Sequence, residues 1–151
     1  MRPYWIVPLL ILAACQSEPQ VITESETETA YVQSQSAEDA VVYIITPEDG
    51  DVVQSGMVHV KFGLSGMGIA PAGIEFPNSG HHHILVNAAD VPAMDMPIPT
   101  DSAHIHFGLG QTETTLELNP GTYTFQLLLG DYSHTPHDPP VMSEPVTITV
   151  E

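Results

Sequence analysis

Basic side chains are almost absent from this chain. Its 151 residues include two, Arg2 and Lys61, against 19 acidic residues, giving a formal net charge of −17. With so little to neutralise phosphates, nucleic-acid binding is excluded. A polybasic patch for anionic lipid is excluded for the same reason. An acidic surface of this kind gathers cations and keeps a protein soluble in salt. Cysteine is equally scarce. The single thiol, Cys15, lies near the N-terminus, so the rest of the chain has no disulfide, no thiolate metal site and no cysteine nucleophile. Helical periodicity is missing as well: no stretch after Val41 repeats its apolar residues with a sustained period near 3.6.

The N-terminus carries an export pattern. Arg2 precedes an apolar run, Tyr4 to Leu12, that is too short to span a bilayer comfortably. The run closes on Leu12-Ala13-Ala14-Cys15, which resembles the lipobox of bacterial lipoproteins, where the cysteine is acylated and becomes the first residue. This predicts a signal peptide over residues 1–14, lipid attachment at Cys15 and a membrane anchor through that lipid. Gln16 stands where an inner-membrane retention signal would usually place Asp. The resemblance therefore points to the periplasmic face of the outer membrane. Residues 16–40 are rich in Ser, Thr, Glu and Gln without apolar periodicity, so residues 15–40 read as a lipidated cysteine and a flexible acidic linker.

Residues 41–151 read as one domain of short alternating runs punctuated by Gly, Pro, Asn and Asp. Strands are expected over Val41 to Thr46, Met57 to Leu64, His82 to Asn87, His104 to Phe107 and Thr112 to Leu118. Two more follow over Tyr123 to Leu129 and Val146 to Val150. About seven short strands with turns between them predict an all-β, immunoglobulin-like antiparallel β-sandwich, with closure into a small barrel as the alternative. The Pro-Gly-x-Tyr entry to the sixth strand resembles the tyrosine corner of such sandwiches.

Histidine is what the chain does have. Seven of its eight histidines fall in three clusters: His81-His82-His83, His104-Ile105-His106 and His134-Thr135-Pro136-His137. Neutral imidazole is the commonest protein ligand for a transition metal, and a metal needs several donors at one point. His104 and His106 are two apart on a strand, so their rings share a face about 6.6 Å apart. His81 and His83 share a face if pairing has begun there, leaving His82 on the other. His134 and His137 lie in a loop stiffened by three prolines. In an antiparallel sandwich the loops after the second, fourth and sixth strands share one pole, which predicts that the three clusters converge there. His81, His83, His104, His106, His134 and His137 are thus the candidate ligands of one Cu or Zn site. Met67 and Met142 fall at the same pole as soft donors. His59, beside Lys61 on a polar strand face, reads as a surface residue. Asp131, Ser133 and His134 have the residue types of a hydrolase triad, but adjacency in one loop gives no reason to expect its geometry.

The strings FGLSGMGIAPAG (62–73), GHHH (80–83), HIHFGLGQTET (104–114) and LLLGDYSHTPHDPPVMS (127–143) resemble the bacterial domain-of-unknown-function 4399 family. The resemblance implies an exported envelope domain and supplies no activity. The His-x-His on a sandwich is also locally similar to copper-zinc superoxide dismutase, whose disulfide and further ligands have no counterpart here. Three expectations follow. The first is a lipid-anchored module binding a divalent metal ion, with no catalytic residue assigned. The second is a structural or protein-interaction module with an unknown partner and no metal. The third is a metalloenzyme of superoxide dismutase type.

Overall fold

The computed structural model describes residues 31–54 and 56–151, so Cys15 and the signal-peptide assignment lie outside the described residues. Nine strands form, and no helix appears among the described residues. They are β1 (Val41–Thr46), β2 (Val52–Val53), β3 (Met57–Ser65), β4 (Gly68–Ile69), β5 (Ser79–Val86), β6 (His104–His106), β7 (Glu113–Glu117), β8 (Gly121–Gly130) and β9 (Val146–Val150). All seven expected strands are present. The two additions, β2 and β4, are two-residue segments that pair in parallel with β9 and β5. Two residues are too few to display any alternation, which is why periodicity missed them.

Two sheets stack as a sandwich, not a closed barrel. One has the order β1-β3-β7; the other runs β2-β9-β8-β5-β4, with β6 also pairing β5. Sequential hairpins are broken by crossings between sheets, giving an order equivalent to A-B-E against G-F-C in immunoglobulin domains. Tyr123 completes the tyrosine corner by donating its hydroxyl to the Asn119 carbonyl at 3.0 Å.

Alternation along the strands builds the core. Val58, Val60 and Phe62 of β3 meet Ile84 of β5, Phe125, Leu127 and Leu129 of β8 and Ile148 and Val150 of β9. All are buried, and with no disulfide in this unit their burial is the main source of cohesion. His82 belongs to this inner face: its ring packs edge-on against Phe62, with centroids 4.7 Å apart. The outer face of the larger sheet is covered too. Leu85 and Leu128 pack there beneath Ile98 and Met94, from the connection between β5 and β6. Residues on both sides of β5 are therefore enclosed, and Ser79 through Leu85 are all buried.

Residues 31–40, read by composition as part of the linker, lie against the domain. Gln35 pairs in parallel with Asp138, the Ser36 amide donates to the Asp138 carbonyl at 3.1 Å, and the Asp138 amide donates to the Ser34 carbonyl at 2.9 Å. The compact unit accordingly begins at Tyr31 and runs to Glu151. Polar side chains can hold a segment to a surface by hydrogen bonds without any apolar pattern, so composition alone could not locate this edge.

Candidate metal centre

The antiparallel register of β5 places two histidines on one face. His81 and His83 point to the outer side of the larger sheet while His82 and Ile84 point into the core. β6 pairs with β5 so that His106 stands directly opposite His83. The β8–β9 connection then folds back and brings His134 over the same spot. One nitrogen from each of His81, His83, His106 and His134 lies within 4.8 Å of the other three.

Ring geometry shows how tightly the four gather. Centroids of His81–His83, His81–His106, His81–His134, His83–His106 and His106–His134 are 4.8, 5.0, 5.0, 5.0 and 4.7 Å apart. The sixth pair, His83–His134, is at 6.3 Å. With metal–nitrogen bonds of about 2.0–2.1 Å, four imidazoles around a tetrahedral ion have centroids about 5 Å apart and nitrogens about 3.3 Å apart. His81 Nε2 and His134 Nδ1 are 3.3 Å apart. Aromatic packing alone also yields ring separations near 5 Å, so the decisive observation is the state of the nitrogens.

Several of those nitrogens are buried without a hydrogen-bond partner. Among the described residues, the buried side-chain nitrogens and oxygens without a hydrogen-bond partner are all imidazole nitrogens: His81 Nδ1, both of His82, both of His83, His106 Nε2 and His137 Nδ1. A buried polar group left without a partner costs about 1–3 kcal/mol. Four of the seven belong to the tetrad, where one ion would engage several at once. Burial favours the neutral form of His81, His83 and His106. Desolvation, reinforced by the mutual repulsion of protonated His106 and His134, lowers the His81 pKa to about 4. Desolvation first, then His81, His106 and His134, pushes His83 down further. His106 is lowered by desolvation and by His134. Neutral imidazole is the coordinating form.

Two glycines make room for the rings. A Cβ on Gly130 would lie 2.7 Å from His83 Cε1, and a Cβ on Gly108 would overlap the His106 ring. The strings GHHH, HIHFG and LLLGD thus contain both donors and the space they occupy.

Two of the six candidate ligands stand outside the tetrad. His104 Nδ1 lies 2.8 Å from Asp101 Oδ1, and its strand partner is Leu85, two positions along from His83. His137 is 1% exposed and directs Nε2 at the Ser79 carbonyl, 3.2 Å away. The route to convergence also differs from the expected one. The clusters meet on a sheet face through strand register and a folded-back loop, not at the pole of the sandwich. Met67 packs against the core and Met142 is 37% exposed. His59 is at the surface, 3.3 Å from Glu113, which Lys61 also meets at 3.3 Å. No triad forms from the 131–134 loop, because Ser133 donates to Asp131 while His134 Nδ1 faces His81.

A supporting layer beneath His134 was not legible as such. Asp131 Oδ1 accepts from the Ser133 amide, the Ser133 hydroxyl and the Thr135 amide at 2.9, 2.8 and 3.1 Å. The Asp-x-Ser-x-Thr spacing is a signal of such a side-chain-closed turn. His134 within it has a left-handed backbone, φ 68°.

Comparison with known proteins identifies a family and no activity. The family described as "Domain of unknown function (DUF4399)" matches residues 60–151. The chain belongs to that family, and all four tetrad histidines lie within the matched region. No curated protein and no solved structure matches.

Proposed function

We propose that this domain binds a single transition-metal ion, Cu or Zn, through His81, His83, His106 and His134. The observation that carries the reading is the convergence of four imidazole nitrogens within 4.8 Å, with four ring nitrogens of His81, His83 and His106 buried and lacking any hydrogen-bond partner. An all-imidazole donor set suits Zn and Cu, and Cu(II) binds such ligands more tightly than Zn(II). Because burial holds three of the four rings below the ordinary histidine pKa, protons compete with metal only in more acid solution than for free imidazole. The Leu12-Ala13-Ala14-Cys15 run supports a lipid anchor at Cys15, and Gln16 in place of Asp supports a position on the periplasmic face of the outer membrane, where the domain would hold or buffer metal.

Calorimetric titration of the tag-free protein with Cu(II) and Zn(II) tests this. One ion should bind per chain at micromolar concentration or tighter, and His106→Ala and His134→Ala should each weaken binding more than roughly tenfold. No binding by the wild type would leave the histidines as structural residues of an interaction module. Labelling cells with a palmitate analogue tests the anchor: the label should be lost in Cys15→Ala.

A further inference from the structure

A divalent ion on four neutral imidazoles keeps both of its charges, and burying such a charge is costly unless an opposite one lies close by. Asp131 is the buried carboxylate among the described residues, 1% exposed, three positions before His134. Its side chain closes the turn that presents His134, whose Nδ1 lies 3.3 Å from His81 Nε2. The two Asp131 oxygens accept from the Tyr31, Ser34 and Ser133 hydroxyls and from the Ser133 and Thr135 amides, an all-donor surrounding that a carboxylate satisfies and a carboxylic acid does not.

Both of its oxygens are engaged. Oδ1 closes the turn that presents His134, and the His134 amide donates to the Asp131 backbone carbonyl at 3.0 Å. Oδ2 receives the Tyr31 hydroxyl at 2.7 Å and the Ser34 hydroxyl at 2.8 Å. Gln33 adds a tie to the same loop, donating to the Pro136 carbonyl at 2.7 Å. The His134 carbonyl is fixed from the other side by the Ile98 amide at 2.9 Å. A segment outside the family match therefore clasps the loop that carries one proposed ligand.

We propose that Asp131, clasped by Tyr31 and Ser34 of the N-terminal segment, is the positioning residue and counter-charge of the histidine metal site. The inference rests on the metal reading above. It assigns residues 31–36 to the site, so that a chain cut at Val41 would keep the four ligands and lose part of its affinity.

The test measures Cu(II) and Cu(I) affinity, and the midpoint potential of bound copper, in wild type, Asp131→Asn and Tyr31→Phe/Ser34→Ala. Loss of an outer support of this kind weakens metal binding by roughly 10–100-fold. In Asp131→Asn, Cu(II) affinity should fall by that amount and Cu(I) affinity by less. The midpoint potential should then rise, because removing a negative charge destabilises the more positive ion. Tyr31→Phe/Ser34→Ala keeps the charge and should weaken both ions alike, by about threefold or more. It carries the positioning half of the test if Asp131→Asn does not fold. Equal losses of Cu(II) and Cu(I) in Asp131→Asn would overturn the counter-charge, and wild-type affinity in both variants would overturn the whole inference while the metal reading stands. No copper binding by the wild type would remove the metal reading and this inference with it.

Discussion

Three consecutive residues of β5 allow a comparison that composition could never make. His81, His82 and His83 are all 0% exposed, and each has at least one ring nitrogen without a partner. Yet His82 faces the sandwich core against Phe62, while its neighbours face outward into a ring of imidazoles. The inner ring is surrounded by carbon, so its buried nitrogens are a cost with no ligand to share. The outer rings have donors converging from β6 and from the β8–β9 connection. Burial of a histidine is therefore not the mark of a site. Convergence of several, supplied by register and by a folded-back loop, is.

Metal affinity separates the two faces most widely at His83. This ring has both nitrogens unpartnered, and its partner in the β5–β6 pairing is His106. His83→Ala should lower Cu(II) affinity by roughly a hundredfold or more and should abolish the metal-dependent rise in Tm. That rise reflects about 4 kcal/mol of added stability when free metal is a thousand times Kd. Thermal melts with and without metal, followed by chelator, measure both. A His83→Ala protein that still gains wild-type stability from metal would place the ion elsewhere.

A smaller effect is expected from filling the space that the His83 ring occupies. In Gly130→Ala the new methyl would meet His83 Cε1 at 2.7 Å and Nδ1 at 3.2 Å, with β8 backbone on one side and Ile98 close by. Displacing the ring should weaken binding roughly tenfold and destabilise the metal-free fold by about 1–3 kcal/mol. Titration and denaturant unfolding of the same sample separate the two losses. Unchanged affinity would mean that His83 is not a ligand in its present rotamer.

The inner face gives the opposite expectation. His82→Leu replaces a ring with two unsatisfied nitrogens by an apolar side chain of similar size, so metal affinity should change by no more than about threefold while stability near pH 7 holds or rises. Acid unfolding sharpens the contrast. Desolvation lowers the His82 pKa from 6.5 to about 4, so the unfolded chain binds the proton more readily than the folded one. The proton-linked penalty to stability is absent above pH 6.5 and grows as pH falls towards 4. Each pKa unit is worth about 1.4 kcal/mol, so the loss approaches roughly 3 kcal/mol. The metal-free His82→Leu protein should show a shallower fall in Tm between pH 6.5 and 4. A slope equal to wild type would show that His82 is not held neutral.

Much of this was written in the sequence, and the remainder was not for physical reasons. Strands β1, β3, β6, β7, β8 and β9 follow from alternation, β5 follows from a run apolar on both faces, and the tyrosine corner follows from its turn. That histidine supplies the candidate donors followed from clustering. The pairing of His83 with His106 depends on which strand edge β6 joins and in what register, and neither is encoded in local spacing. The clasp by Tyr31, Gln33 and Ser34 joins residues about 100 positions from their partners through polar groups that leave no periodic trace. His104 and His137 looked equivalent to the true cluster members because their local partners, Asp101 and the Ser79 carbonyl, become visible only once the chain is folded.

His104 provides the smallest effect and the finest test of that last point. It shares a strand and a face with His106, and a two-residue spacing reads as a ready-made pair of donors. Register separates them: His106 stands across from His83, and His104 across from Leu85. Asp101 then occupies His104. Its Oδ1 lies 2.8 Å from His104 Nδ1 and also receives the Ala103 and His104 amides at 2.8 and 3.0 Å, so the ring caps a surface turn. That turn lies next to the β6 segment without touching the tetrad nitrogens, and substitutions at sites that share no partner leave one another's energetics within about 0.5 kcal/mol, roughly twofold in affinity. His104→Ala should therefore bind Cu(II) and Zn(II) within about twofold of wild type, whereas His106→Ala loses more than roughly tenfold. Parallel titrations of the two single variants decide it: equal losses would show that the two histidines act as a pair and that β6 shifts by one turn of its pleat when metal binds.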